Sequence, residues 1–184
     1  MSDSSQDPLV TSLAACAQGD GQALERVYRL ASPHLYAQLL RIVRNESAAQ
    51  DCLQQVFIRV WQSAGQYDAS RAKPMTWLST LTRNIGIDWL RRQRPQEADG
   101  QALIDELAGL DDPAADGQRD QESSQLHECL KILPAKQRQV LELAFFHGLT
   151  HSELAGAITQ PLGTVKSWVR RGLERLKSCL TTGI

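Results

Sequence analysis

The sequence predicts an all-α fold of two helical domains joined by a flexible acidic linker. Apolar residues recur every three to four positions along most of the chain, which is the period of an amphipathic helix. No segment shows the apolar–polar alternation that is typical of a β-strand. The helical period is lost near residues 95–121, where Gly, Pro and Asp accumulate. We therefore expect one domain at residues 1–94, a linker at 95–121 and a second domain at 122–184.

Charge is distributed unevenly along the chain, although its 184 residues have a formal net charge of only −1. Residues 95–124 contain nine acidic residues and a single arginine, whereas basic residues outnumber acidic ones on either side. A near-neutral average argues against a nucleic-acid partner, but the two basic segments are suited to one. We expect the acidic linker to stay off DNA and to lower the positive potential of the second domain.

The cysteines and the histidines predict free thiols without a metal site, and the start of the chain predicts no signal peptide. Four cysteines are scattered with no CxxC pair, so we expect reduced core thiols rather than disulfides or metal ligands: Cys16, Cys52, Cys129 and Cys179. The histidines are dispersed, so neither a metal nor a cofactor is expected. The polar N-terminus is not a signal peptide, and no apolar stretch is long enough to span a bilayer. We expect a cytoplasmic protein that is not inserted into a membrane.

A helix beginning at Ser47 is expected to combine a broad apolar stripe with one unusual polar face. The stripe comprises Ala49, Cys52, Leu53, Val56, Phe57, Val60, Trp61 and Ala64. The opposite face carries Asp51, Gln54, Gln55, Ile58 and Gln62. One exposed Ile is ordinary. On this face, however, Ile58 is also what a docking site for another protein would present.

The next helix is expected to run from Pro74 to about Arg94, with a basic end. Its core stripe is Leu78, Leu81, Ile85 and Trp89, whereas its other side carries Thr76, Thr80, Arg83, Asn84, Ile87, Asp88 and Arg91. Arg92 and Arg94 extend the basic end. Cations there complement the helix dipole, which is a purely structural explanation. Basic residues beside Trp77 and Trp89 also suit a nucleic-acid backbone with unstacked bases.

Residues 148–177 predict a helix-turn-helix. Thr150 and Glu153 form a capping box for the first helix, and Pro161 opens the second. One side of the second helix is apolar, and its other side carries Thr164, Lys166, Ser167, Arg170, Arg171 and Arg175. Such a helix can enter the major groove, where polar side chains read base edges and cations meet phosphate or guanine. An amphipathic hairpin with a solvated basic face is the alternative.

Three of these stretches together resemble the extracytoplasmic-function (ECF) sigma factors. The sequence AAQDCLQQVFIRVW, residues 48–61, is similar to their polymerase-binding helix. Residues 74–94 are similar to their segment that recognises and melts the −10 element, and residues 133–177 to their −35-binding domain. The resemblance covers both domains in order, and three motifs in order are more specific than any one of them.

The resemblance implies a transcription initiation factor whose partners are core RNA polymerase and promoter DNA. By similarity, Asp51, Gln54, Gln55 and Ile58 would dock on the polymerase clamp helices. Asn84 and the loop at residues 65–76 would hold an everted −10 base, beside Asp88, while Arg83, Arg91 and Arg92 would contact the strand backbone. The −35 element would be read by Thr164, Lys166, Ser167, Arg170, Arg171 and Arg175. The family also implies a cognate anti-sigma factor, which is often membrane-bound.

Several positions depart from the family pattern, so the promoter sequence cannot be carried over. Gln50 and Gln55 stand where acids are frequent, which would make the polymerase contact less electrostatic. Ala144 and Trp168 stand where basic residues occur in some members. An ordinary helix-turn-helix regulator would leave the faces of residues 47–64 and 74–94 without a role. A helical metal-dependent hydrolase would need clustered His, Asp or Glu on facing helices, which the sequence lacks.

Overall fold

The computed structural model describes residues 7–93 and 121–182, without the side chains of residues 121–124 and Phe146. Its described residues divide into two compact units, one on each side of the boundary between Gln93 and Arg94. The predicted linker lies outside the described residues up to position 120. All regular elements within the described ranges are helical, so the all-α prediction is confirmed.

Residues 7–93 of the first unit form four helices and one short turn of 3₁₀ helix. These are α1 (Pro8–Ala17), α2 (Gly21–Val43), α3 (Glu46–Ser63), the 3₁₀ turn (Ala64–Gln66) and α4 (Pro74–Gln93). Helix α2 continues through Pro33. Helix α4 packs against both α2 and α3.

Side-chain caps fix where the first three helices begin. The carboxylates of Asp7 and Asp20 accept hydrogen bonds from the backbone N–H groups of Leu9 and Gln22, both at 2.9 Å. Asn45 caps α3, because its side-chain oxygen accepts from the Ala48 N–H at 2.8 Å. The expected start at Ser47 was therefore wrong. Both residues are good caps, and the extended backbone of Asn45 places its oxygen at the free N–H groups.

The core of the first unit follows the predicted stripes only in part. Leu35, Leu39, Val56, Val60 and Leu78 are fully buried. Trp61 was expected in the core but is 41% exposed, because it lies at the rim of a groove between α2 and α3. Ile87 was expected on the exposed side of α4 but is buried. Since α4 packs against two neighbouring helices, its buried surface is wider than a single stripe.

Within residues 121–182, the second unit has four helices: α5 (Gln121–Lys131), α6 (Ala135–Phe146), α7 (His151–Ala157) and α8 (Leu162–Thr182). Its core comprises Leu133, Val140, Leu141, Leu143, Leu149, Leu154, Ala157, Val165 and Val169. Gly148 has a φ of 66°, a left-handed conformation that ends the preceding helical segment at little steric cost. Helix α8 packs against α5, α6 and α7, so the unit is organised around it.

Two of the four cysteines form a disulfide, which corrects the expectation that all would be reduced thiols. Cys129 on α5 and Cys179 on α8 are joined, with their Cα atoms 5.9 Å apart and a separation of 50 positions in sequence. Sequence spacing did not reveal the pair because packing of α5 on α8 brings the cysteines together. Cys16 and Cys52 are buried free thiols as expected, and burial raises the pKa of each. Within the described ranges, no helix is both long and apolar enough to cross a bilayer.

Candidate functional site

Helices α7 and α8 form the predicted helix-turn-helix, and its entry is fixed by a complete capping box. The Thr150 hydroxyl accepts from the Glu153 N–H at 3.2 Å, and a Glu153 carboxylate oxygen accepts from the Thr150 N–H at 2.6 Å. Between the helices, Thr159 has a φ of 52°. The Pro161 carbonyl then accepts from the N–H groups of Thr164 and Val165, which starts α8. The turn therefore sets the direction in which α8 leaves the core.

Helix α8 buries one side and presents the other. Val165, Val169 and Gly172 face the core. The first part of the other side carries Thr164 and Ser167, which are half-buried, and Lys166, Arg170 and Arg171, which are exposed. Nε of Arg170 lies 3.9 Å from Oε1 of Glu174, which is a weak ion pair on the surface. The predicted reading residues thus share an accessible surface with small polar groups near its centre and cations around it.

Arg175 differs from the other cations of α8 because it has a partner on α6. Its Nη1 donates to the Oε1 of Gln137 at 3.2 Å, and Gln137 is only 7% exposed. One turn earlier, Gly172 lies directly against α6. A Cβ at Gly172 would sit 2.8 Å from Cδ1 of Leu141. Arg175 is therefore anchored at a close helix crossing.

Helix α4 presents a second polar surface. Asn84, Asp88, Arg91 and Arg92 are exposed, whereas Arg83 is half-buried. Burial lowers the pKa of the Arg83 guanidinium, yet an arginine remains charged at neutral pH. All five predicted residues are thus on accessible parts of one helix, with its basic end in the last turn.

The loop before α4 is ordered by contacts of Tyr67 and Asp68. The Tyr67 hydroxyl donates to the Ala72 carbonyl at 3.1 Å, and its ring lies 5.5 Å from that of Trp77. Burial is the main reason why the pKa of Tyr67 is raised. Asp68 accepts from the N–H and the hydroxyl of Ser70. These contacts hold the loop against the start of α4.

Helix α3 carries the third candidate surface. Asp51, Gln54, Gln55 and Ile58 are all exposed, and Ile58 is 58% exposed, which confirms its predicted place outside the core. Gln54 and Ile58 line an almost wholly apolar groove of about 500 Å³. Its other lining residues are Gly21, Leu24, Tyr28, Phe57 and Trp61.

Sequence reasoning missed the part that α2 contributes to this groove. Tyr28 is 47% exposed, and its ring lies 4.8 Å from that of Phe57. Gly21, Leu24 and Tyr28 are spaced three and four apart, which places them on one helix face. Trp61 was assigned to the apolar stripe of α3. Aromatic rings at the edge of a stripe are often half-exposed, so a borderline stripe position was the available signal.

Both units match regions of a known protein family. Residues 27–96 match Sigma-70 region 2, and residues 123–176 match Sigma-70, region 4. The first match contains α4 and the groove lining except Gly21 and Leu24, and the second contains α7 and most of α8.

Relatives extend this match over most of the chain. The ECF RNA polymerase sigma factor RpoE of Cereibacter sphaeroides is 37% identical over 161 residues, covering 86% of each chain. SigK of Mycobacterium sp. strain KMS, also an ECF RNA polymerase sigma factor, is 31% identical over 173 residues. That match covers 91% of this chain and 88% of SigK.

Two solved structures are also similar. Rhodobacter sphaeroides SigE in complex with the anti-sigma ChrR is 33% identical, with a TM-score of 0.41, and the match covers 92% of this chain and 98% of that one. CnrH in complex with the cytosolic domain of CnrY is 21% identical, with a TM-score of 0.43, over 97% and 100% of the two chains. From its two matched regions and its sequence relatives, the chain belongs to the ECF sigma factors of the sigma-70 family, transcription initiation factors rather than enzymes.

Proposed function

We propose that the groove between α2 and α3, extended by Asp51 and Gln55, is the docking site for core RNA polymerase. The single observation that carries this proposal is the exposed Ile58 at the edge of an apolar groove. A polar helix face gains nothing in the free protein from an isoleucine that water surrounds. Buried against a partner, the same side chain would contribute about 1.5–3 kcal/mol.

The aromatic rings of the groove suit a partner helix. Phe57 is 7% exposed and forms the floor, while Tyr28 and Trp61 stand half-exposed at the sides. Tyrosine and tryptophan are enriched among the residues that contribute most to protein interfaces. Gln54 and Gln55 add uncharged hydrogen-bonding groups beside them. We therefore expect docking to depend on apolar contact more than on charge, with only weak sensitivity to salt.

The substitution Ile58→Glu tests this assignment. Ile58 fills no core cavity, so the variant should fold normally while its affinity for core polymerase falls at least tenfold. Leu30→Glu is the matched control, since Leu30 is a 50% exposed apolar residue on α2 that does not line the groove. Equal core binding by both variants, measured by fluorescence anisotropy of labelled chain, would remove the groove from the docking site.

We further propose that α8 reads the −35 element and α4 engages the −10 element. On α8 the reading residues would be Thr164, Lys166, Ser167, Arg170 and Arg171. Arg171→Ala should weaken promoter-specific binding of the holoenzyme by about 1–3 kcal/mol, the value of a good base contact. An unchanged affinity in a folded variant would remove Arg171 from the set.

The α4 assignment rests on a mixed surface of cations and polar groups beside an ordered aromatic loop. Arg83, Arg91 and Arg92 would contact strand phosphates, while Asn84 and Asp88 would face the base held near residues 65–76. Asn84→Ala should therefore slow promoter melting, followed with a base analogue that fluoresces when unstacked. It should leave binding to the −35 duplex unchanged.

We also infer that an anti-sigma factor controls this chain, by analogy with SigE and ChrR. The groove is the surface that such a partner would cover, because covering it blocks docking. The acidic residues at positions 95–121 would reduce DNA binding by the free chain. We place the protein in the cytoplasm, where core polymerase acts.

A further inference from the structure

Gln137 and Arg175 form a polar contact at the crossing of α6 and α8. Gln137 is a buried polar residue, and the Arg175 guanidinium is a hydrogen-bond donor to its amide oxygen. Charged donors make stronger hydrogen bonds than neutral ones. Gly172 and Leu141 touch one turn away along the same crossing. The two contacts are about one turn apart on α8 and both reach α6, so together they restrict both the distance and the rotation of α8.

Arg175 cannot serve this contact and a phosphate equally well. If its guanidinium turned to DNA, the amide oxygen of the buried Gln137 would lose this donor. Leaving a buried acceptor unpaired cancels much of what a new surface contact supplies. Phosphate contacts on an exposed helix are also available to Lys166 and Arg170, which face solvent. The internal contact is therefore the better use of Arg175.

We propose that Arg175 is a positioning residue for −35 recognition, held by Gln137, and not a DNA-contacting residue. It fixes the rotation of α8 so that Ser167 and Arg171, two turns and one turn before it, face the base edges together. This inference rests on the proposed reading of the −35 element by α8. It assigns a role to Gln137, which lies far from the reading surface in sequence.

The test compares specific and non-specific DNA binding by holoenzyme. The specific probe is a promoter duplex selected by wild-type holoenzyme from a random-sequence pool, and the other is a scrambled duplex of equal length. Arg175→Ala and Gln137→Leu should each weaken specific binding about tenfold and leave scrambled binding at the level of the control. Lys177→Ala is that control, since it removes one exposed cation from α8 outside the crossing.

Two further measurements separate positioning from direct contact. The double variant should lose no more specific affinity than the single variant that binds DNA more weakly, because both substitutions break the same contact. The slope of log affinity against log salt should be equal for Arg175→Ala and Lys177→Ala. A lost phosphate contact would instead reduce the magnitude of that slope by about 0.9 relative to the control.

The proposal is overturned if Gln137→Leu, folded by circular dichroism, binds the selected duplex as wild type does. It is equally overturned if Arg175→Ala weakens both duplexes alike with a reduced salt slope. Failure of the underlying function looks different. In that case wild-type holoenzyme would select no common −35 sequence, and Arg171→Ala would change nothing.

Discussion

Reduction of the Cys129–Cys179 disulfide should destabilise the second unit and leave the first unaffected. The bond closes a loop of 50 positions between α5 and α8. A loop of that length restricts the unfolded chain enough to stabilise the folded state by about 4 kcal/mol. Folded domains are stable by only about 5–15 kcal/mol, so the loss would be a large share of the total.

Amide hydrogen exchange of the whole chain, with and without a dithiol reductant, measures this directly. Four kcal/mol corresponds to about a thousandfold faster exchange, since about 1.4 kcal/mol is a factor of ten. The most protected amides of α6 and α8 should show that change. Amides of α1–α4 are an internal control, because Cys16 and Cys52 are already free thiols. Unchanged protection of α6 and α8 after verified reduction would refute the reasoning.

Three other substitutions test the packing. Phe57→Ala should lower the free energy of unfolding, measured in urea, by about 3–5 kcal/mol, because it removes a buried ring from the floor of the groove. A loss below about 1 kcal/mol would contradict the burial of Phe57. Gly172→Ala should lower the free energy of unfolding by about 1–3 kcal/mol, because the added methyl group crowds Leu141. Leu141→Val in the same chain should recover part of that loss. Additive losses in the double variant would argue against the close crossing. Thr159→Asn should raise the melting temperature by relieving a left-handed backbone that costs a β-branched residue about 1–2 kcal/mol; a lower melting temperature would show that the Thr159 side chain is needed in the turn.

Much of the fold was predictable because local chemistry decides it. The capping box of Thr150 and Glu153, the break at Gly148 and the stripe containing Val56 and Val60 all act over a few residues. The position of Ile58 outside the core was predictable for the same reason, since helical period alone assigns it to a face.

What the sequence did not reveal depends on contacts between helices. Cys129 and Cys179 are bonded only because α5 and α8 pack together. Ile87 is buried because α4 meets two neighbours, and Tyr28 joins the groove only when α2 lies beside α3. The role of Gln137 was hidden for the same reason, because a single glutamine on an amphipathic helix gives no sign of a partner 38 positions away.

Transcription with core RNA polymerase tests the central claim most directly. The selected promoter duplex is offered to core polymerase alone, to core with the wild-type chain, and to core with Ile58→Glu. Only the wild-type chain should give abundant transcripts from one defined start downstream of the selected element. Equal transcription without the chain, or tight and specific binding of the free chain to the duplex without core polymerase, would contradict a sigma factor and favour an ordinary helix-turn-helix regulator.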